Sequence, residues 1–248
     1  MMLPPEILDN ILKFIPADRE DRPTLVACAL VATWWTGPSQ RRLFSLVSIT
    51  DKNFWRWMND IVHPQPKTHL LRYVRSLTCY FGLEGIRCPM VLLLRNSGEH
   101  LSTLENLSLH EVTVYIEKKQ LNSCFSGFRE TLTSFSLRSV AMSFSMFVTV
   151  IGYIPNITTL RLGSFTLRPD ERPVPPLPRP LRGRIYLYDI GSRWRFIDRL
   201  AELDLEYSGL IVQFHSSVVT EHFNRMLRLS EKTVKYLRLD LRFGREHP

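Results

Sequence analysis

The sequence lacks the signatures of a secreted or disulfide-stabilised protein. It has few cysteines, and no two of them form a CxxC pair: Cys28, Cys79, Cys88 and Cys124. Cysteines scattered in this way predict buried or half-buried thiols in a reducing compartment rather than a disulfide framework. The early Pro4, Pro5 and Glu6 do not suit a signal peptide, so we expect no secretion.

Long apolar runs are also missing. The longest mostly apolar stretch covers residues 142–154 and includes polar side chains, whereas a helix that spans a bilayer needs about 20 apolar residues. We therefore expect no membrane association and a cytoplasmic or nuclear location.

Sequence patterns for catalysis or metal binding are absent as well. None of the seven histidines lies in an HExxH motif or at metal spacing from a cysteine. His215 and His222 have no evident third ligand, Gly82 and Gly85 form no phosphate-binding loop, and no GxSxG occurs. We expect no catalytic residue, no cofactor and no metal site. An enzyme remains an alternative, which a deep pocket with convergent titratable groups would favour.

Positive charge is present but not clustered. The net charge is +8 and the pI is about 9.5, yet no Lys/Arg run exceeds two residues. A nucleic-acid footprint needs clustered cations, so we expect no nucleic-acid partner.

The first fifty residues predict three short helices followed by an extended segment. Apolar residues recur at helical spacing in the first helix: Ile7, Leu8, Ile11, Leu12 and Ile15. A second helix is predicted from Asp21, with Pro23 in its first turn, to a break at Gly37-Pro38. Ser39 then caps a third helix, and residues 46–50 look extended. Because this unit is small and unusually apolar, we expect a partner surface to cover it.

Three stretches of this segment, LPPEILDNIL, TLVACALVATWW and SQRRLF, resemble the F-box, in the style of the large F-box families of mushroom-forming fungi. The resemblance covers residues 3–49 and implies binding to a Skp-type adaptor of a cullin–RING ubiquitin ligase. The adaptor-binding positions that it implies are Leu3, Pro4, Glu6, Ile7, Leu8, Leu30, Val31 and Trp35. A generic three-helix cap on the following region is the alternative.

Residues 51–69 predict a linker that begins with a helix over residues 51–62. Phe54, Trp57, Met58 and Ile61 share one face of it. We expect this face to pack between the N-terminal module and the rest of the chain.

Residues 70–248 contain an irregular repeat of the form apolar-x-x-apolar-x-apolar. The matches are Val74/Leu77/Cys79, Leu104/Leu107/Leu109, Leu132/Phe135/Leu137, Ile157/Leu160/Leu162, Leu200/Leu203/Leu205 and Val234/Leu237/Leu239, with a poorer copy at Arg182/Ile185/Leu187. The first four begin 30, 28 and 25 residues apart, close to the roughly 20–29 residues of leucine-rich repeats. We therefore expect an α/β fold: the F-box, then an irregular leucine-rich-repeat-like solenoid with a curved parallel sheet. An ordinary parallel α/β domain is the alternative.

Three further expectations follow from this repeat. Four of its leucines are expected to be buried: Leu107, Leu160, Leu203 and Leu237. The proline-rich residues 167–181 are expected to form a loop that projects from the array, either as a rigid insertion or as a proline-motif ligand. Few residues follow the last strand, so the array is expected to be incomplete at its C-terminus or to contact a partner there.

The residues between the apolar positions of each strand are expected to face a partner. Those chosen as substrate-binding combine Arg, Tyr and carboxylates: Arg184, Tyr186, Tyr188, Glu202, Asp204, Glu206, Tyr236 and Arg238. Tyr and Arg dominate interface energetics. Alternatively, these charges neutralise one another across strands, Arg184 with Glu202 and Asp204 with Arg238.

The sequence therefore predicts a substrate-recognition subunit of a cullin–RING (SCF-type) ubiquitin ligase. It would bind a Skp-type adaptor through the F-box and a target protein through the repeats. The alternative is a repeat-containing interaction scaffold without ligase association.

Overall fold

The chain folds around one parallel sheet. The computed structural model describes residues 4–15, 22–63, 65–82, 89–114, 120–169, 174–188, 194–201, 203, 205–214, 224 and 234–241. The strands are Leu46–Thr50 (β1), Ser76–Tyr80 (β2), Asn106–His110 (β3), Ser134–Arg138 (β4), Ala141–Ser143 (β5), Thr159–Gly163 (β6), Thr166–Arg168 (β7), Leu181–Tyr188 (β8), Leu205–Phe214 (β9) and Tyr236–Leu241 (β10). Eight of them form a sheet in the order β1-β2-β3-β4-β6-β8-β9-β10, with every neighbouring pair parallel. The predicted α/β class and parallel sheet are thus confirmed.

Helices precede the sheet and connect its strands. They are Pro5–Lys13 (α1), Arg22–Val31 (α2), Thr33–Ser45 (α3), Asp51–Trp57 (α4), Pro89–Ser97 (α5), Leu121–Phe125 (α6), Phe144–Tyr153 (α7) and Trp194–Ala201 (α8). A π-helical stretch, Met58–Val62, continues α4, so the helix predicted over residues 51–62 is present at full length. None of the described helices is both long and apolar enough to cross a membrane.

The core lies between the sheet and the helices of its connections. Alternate strand residues point into it, as in β3, where Leu107 and Leu109 are buried while their neighbours are partly exposed. Buried side chains of α5, α6 and α7 belong to the same hydrophobic cluster. The described helices therefore cover the apolar side of the sheet.

Three strands end in the same unusual turn. Glu111, Ser139 and Ser164, which follow β3, β4 and β6, have positive φ values of 54°, 52° and 48°. Each donates its backbone N–H to a carbonyl of the next strand of the sheet, at Arg138, Gly163 and Tyr188. These hydrogen bonds hold a conformation that residues other than glycine seldom adopt.

Buried residues follow each of these turns: Val112, Val140 and Phe165. They extend the repeat beyond the pattern seen in the sequence and lead into β5 and β7, which form a separate two-stranded parallel sheet.

The predicted boundary between the second and third helices is wrong. The break falls at Ala32, whose backbone is extended with φ −160° and ψ 155°, and α3 runs through Gly37 and Pro38. The hydroxyl of Thr36 donates to the carbonyl of Ala29 across the break, at 3.0 Å. Pro38 lacks an N–H donor, but its side chain is buried in packed surroundings, and this packing outweighs its local preference.

The repeat copy placed at Leu200, Leu203 and Leu205 is also wrong. The register of β9 against β8 brings Leu210 beside Ile185 and Val212 beside Leu187. Leu210 and Val212 are 0% and 1% exposed, so they occupy the core positions of the strand. The irregular step occurs at Gly183/Arg184, where β9 contains an additional residue. A pattern search cannot anticipate such a bulge.

The predicted burial of four leucines holds in part. Leu107 and Leu160 are 0% and 1% exposed, whereas Leu203 is only half-buried and packs against the core. Leu237 is 41% exposed, so its predicted burial is wrong. Among the residues that the structure describes, β10 pairs with β9 alone, and an edge strand has fewer neighbours to cover it.

The proline-rich segment does not project from the array over the part that is described. Val174 and Leu177 pack against the main core, and Pro178 lies against α7 at Gly152, where a side chain would collide with it. Residues 170–173 of the segment lie outside the described part of the chain. The apolar side chains between the prolines explain why residues 174–180 are held against the protein.

The three N-terminal helices form a module with a small core of their own. Leu12, Leu25 and Leu43 are buried together, with Trp35 and Phe44 packed against them. α3 continues directly into β1, which pairs with β2. Residues 46–50, grouped with the helices in the sequence, therefore belong to the sheet. The ring of Trp57, half-buried at the end of α4, lies 6.5 Å from that of Phe44 and joins the two regions.

Three cysteines match the predicted environment. Cys79 and Cys124 are buried and Cys28 is half-buried. Cys88 lies outside the described residues.

Candidate functional site

The helical module exposes large apolar side chains on two of its helices. Ile7 and Ile11 lie on α1 and Phe14 directly follows its end; they are 46%, 41% and 86% exposed. Leu30 and Val31 end α2 and are 80% and 71% exposed. We call these five residues the module surface. Their spacing of three and four residues in α1 places the first three on one face of the helix.

Polar contacts fix the helices that carry this surface. The carbonyl of Pro4 accepts the N–H of Ile7 and starts α1. Arg42 donates to the carbonyl of Ile15 at 3.1 Å, just beyond the end of α1. Arg41 and Asp9 form an ion pair at 3.1 Å between α3 and α1. These contacts orient α1 against α3, so its apolar outer face is a defined surface.

The predicted adaptor-binding residues are divided between this surface and the interior. Pro4 and Glu6 are exposed, as are Ile7, Leu30 and Val31. Leu8 is 1% exposed because one residue step turns the helix by about 100°, so it supports the surface from inside. Trp35 is half-buried against the module core. Leu3 lies outside the described residues.

Two members of the module surface were not predicted. Ile11 was assigned to the helix's apolar face, and Phe14 was not singled out. Periodicity alone predicts an apolar stripe but does not tell which part of a wide stripe is covered. The combination of Ile7, Ile11 and Phe14 was the available signal.

A second candidate surface is the polar side of the sheet. Each of β2, β3 and β4 has three residues on this side of the sheet. The first two of them carry small uncharged side chains: Ser76, Thr78, Asn106, Ser108, Ser134 and Ser136. At the third position the rings of Tyr80 and His110 stack with centroids 4.4 Å apart. Burial, and then the charge of Arg138, lower the pKa of His110, while Glu111 opposes the shift. The imidazole is therefore neutral at pH 7.

The character of this side changes on the later strands. We call the following residues the basic end of the sheet: Arg138, Arg161, Arg184, Tyr186, Tyr188, Lys235, Tyr236 and Arg238. The Arg161 guanidinium lies 5.2 Å from the ring centre of Tyr186, and the Tyr186 and Tyr188 rings stack at 6.1 Å. An open concavity of about 640 Å³ lies here, between β8, β9 and β10.

The structure brings together five of the eight predicted substrate-binding residues. Those lining the concavity are Arg184, Tyr186, Tyr188, Tyr236 and Arg238. Glu206 instead forms an ion pair with Arg182 at 2.9 Å. Glu202 and Asp204 lie outside the described residues, and with them the predicted pairs with Arg184 and Arg238.

The register of β9 replaces the expected acidic strand residues. Gly209, Ile211 and Gln213 lie beside Arg184, Tyr186 and Tyr188. The pattern Tyr207/Leu210/Val212 could have indicated these residues, because it matches the repeat as well as the predicted copy Leu200/Leu203/Leu205 does. Lys235, which also lines the concavity, was missed because it precedes the strand.

No group of three or more His, Cys, Asp or Glu side chains is placed to hold a metal ion within the part of the chain that the structure describes. Neither the protein-family models nor the curated proteins searched with this sequence contain a match.

Proposed function

We propose that this protein is a substrate-recognition subunit of a cullin–RING ubiquitin ligase. Its helical module docks a Skp-type adaptor, and the polar side of its sheet holds the target protein. The chemistry of ubiquitin transfer belongs to other subunits. The proposal combines the F-box resemblance of residues 3–49 with two surfaces of different character on one chain.

The observation that carries the proposal is the module surface. Among its described residues, the module exposes six large apolar side chains and buries four: Leu8, Leu12, Leu25 and Leu43. Contiguous apolar surface exposed to water is unfavourable, and large patches mark interaction sites. A partner that covers Leu30 and Val31 would remove from water the two most exposed residues of α2. The resemblance of residues 3–49 to the F-box supports a Skp-type adaptor as that partner.

The second surface supports the other half of the proposal. None of the helices in the described part of the connections packs on the polar side of the sheet, and its later strands present Tyr and Arg. These residue types are frequent among interface hot spots. The sheet and the module are joined by α3 and β1 without an intervening linker, so a target bound to the sheet would be held at a fixed position relative to the adaptor.

The test measures binding of the purified chain to a purified Skp-type adaptor by calorimetry. Leu30→Gln combined with Val31→Gln removes the apolar end of α2 while keeping good helix formers. We expect the affinity to fall at least about tenfold, which corresponds to ~1.4 kcal/mol. Trp55→Gln is the matched control, because Trp55 is 65% exposed on α4, outside the module.

An unchanged affinity in the double variant, or an equal loss in the Trp55 control, would contradict docking through this surface. If the unmodified chain does not bind the adaptor at all, the ligase assignment fails and the interaction scaffold is the better account.

A further inference from the structure

Several arginines at the basic end of the sheet have no acidic partner among the residues that the structure describes. Among the described residues, Arg182 is paired with Glu206. Arg138, Arg161 and Arg184, by contrast, form no ion pair within the same part of the chain. Like charges held close together repel one another, so an anionic partner is favoured here.

The cations are concentrated at one end of the surface. The register aligns Ser48, Thr78, Ser108 and Ser136 with Arg161 on the next strand. Arg161 then continues to Tyr186, Ile211 and Arg238. This row changes from small hydroxyl side chains to Arg and Tyr at the boundary between β4 and β6. The charge is therefore a local feature of the later strands, although the net charge of the chain is spread along its sequence.

Gly209 is one of the residues that line the concavity. A Cβ built on Gly209 would lie 3.2 Å from Cγ of Arg184 and 3.8 Å from Cδ1 of Tyr236. The absence of a side chain at this position lets the stem of Arg184 and the ring of Tyr236 pack closely over the strand. Tyr186 and Tyr188 line the same concavity. A ligand lying here would meet cations and ring faces together.

We propose that the basic end of the sheet binds an acidic segment of a protein. Asp and Glu side chains of that segment pair with Arg184, Lys235 and Arg161, and its other atoms pack on the tyrosine rings over Gly209. This rests on the proposed function only in taking the segment as part of the ligase target. Charge complementarity identifies the occupant, and the rings add the apolar contact that a purely ionic surface lacks.

The surface is less suited to a nucleic acid. A nucleic-acid strand needs a row of cations along its backbone. The row of cations ends at β4 here. On β2 and β3 the residues in register with Arg161 and Arg184 are Ser, Thr and Asn, and those in register with Arg138 are Tyr80 and His110. Binding of an acidic protein segment, by contrast, requires only a short contact surface such as the concavity.

The test uses the full chain without the adaptor, so its result is independent of adaptor docking. The probe is a short fluorescent peptide of alternating Glu and Gly, followed by fluorescence anisotropy at low and physiological salt. Peptides with Gln or Lys in place of Glu, and a single-stranded oligonucleotide, are the comparison ligands. We expect only the Glu peptide to bind appreciably, with an affinity that falls as salt rises.

Two variants locate the binding on this surface. Arg184→Gln with Lys235→Gln should lower the affinity for the Glu peptide at least about tenfold. Arg95→Gln with Lys67→Gln removes the same charge from exposed positions away from the surface and should leave the affinity within about twofold. Gly209→Val keeps every cation but places a branched side chain against the stem of Arg184. It should displace that side chain and therefore also weaken binding.

Each contrary result overturns the proposal. Equal losses in the two charge variants would show attraction by net charge alone. Unchanged binding in Gly209→Val, in a variant whose circular dichroism matches the parent, would exclude the concavity. Tighter binding of the oligonucleotide than of the Glu peptide would identify a nucleic-acid surface instead. Adaptor binding that persists in any of these cases would leave the proposed docking of the module intact.

Discussion

The helical module and the sheet region differ in how they use apolar side chains. Over its described residues, the module buries Leu8, Leu12, Leu25 and Leu43 and exposes six large apolar residues between Ile7 and Val31. The described part of the sheet region is much longer; it buries one continuous core and exposes five large apolar residues from Leu46 onwards. Burial of apolar surface stabilises the folded chain and accounts for the core of the sheet region. The exposed module surface contributes little in this way, which is why we propose that a partner covers it.

The largest expected effect comes from the core of the sheet region. Leu107→Ala should lower the free energy of unfolding by about 3 kcal/mol, because Leu107 is fully buried and its truncation leaves a cavity. Chemical denaturation followed by circular dichroism measures the loss. Leu12→Ala in the module is the comparison, and it should loosen the module while the transition of the sheet stays in place. A single transition shifted equally by both changes would show that the two regions are not separate in stability.

A somewhat smaller loss is expected at Gly183, which fixes the register of the basic end. Its φ is +107°, and a side chain there would collide with the carbonyl of Thr158. Gly183→Ala should therefore cost about 2 kcal/mol. Gly37→Ala is the matched control, since an added Cβ in α3 meets nothing within 4 Å and should stabilise by up to about 1 kcal/mol. Thermal unfolding of the two variants measures both changes. Equal stability of Gly183→Ala and Gly37→Ala would show that Gly183 does not relieve backbone strain.

His110 should contribute a modest pH dependence to the sheet. Burial and Arg138 lower its pKa below the ordinary value of 6.5. As the pH falls through about 6.5 the unfolded chain takes up this proton before the folded one, so folding becomes less favourable. His110→Gln should therefore reduce the loss of Tm between about pH 7.5 and about pH 5.5. An identical loss in the variant and the parent would contradict the lowered pKa.

The smallest expected effect on folding is at the module surface. Leu30→Gln with Val31→Gln should change the free energy of unfolding by less than about 0.5 kcal/mol, because both side chains are mostly in water. Denaturation under the conditions used for Leu107→Ala provides the measurement. A loss of several kcal/mol would mean that these residues stabilise the chain itself, and the contrast between the two regions would then disappear.

The parts of the fold that follow from local pattern were accessible in the sequence. Alternating apolar residues predicted β2, β3, β4 and β6, and helical spacing predicted α1 and α4. The features that were missed depend on distant contacts. Ala32 ends a helix because of the packing of α3, and the bulge at Gly183 arises where two strands meet. Those contacts involve residues far apart in sequence, which a periodic pattern does not encode.

The candidate sites show the same division. Arg184, Tyr186, Tyr188, Tyr236 and Arg238 were found because they alternate with core positions in correctly placed strands. Glu206 does not line the concavity, and its ion pair with Arg182 depends on how β8 and β9 lie side by side, which the repeat pattern does not give. Leu8 was grouped with Ile7 since both are apolar in one motif, but which of two adjacent residues faces inwards depends on where α3 lies.

Hydrogen–deuterium exchange of the full chain with and without a Skp-type adaptor tests the central claim most directly. The adaptor should slow exchange in α1 and α2, whose surface it would cover, and leave β6 and β8 unchanged because they are already protected by the sheet. Slowed exchange confined to the strands, or none in the helices at saturating adaptor, would contradict the account.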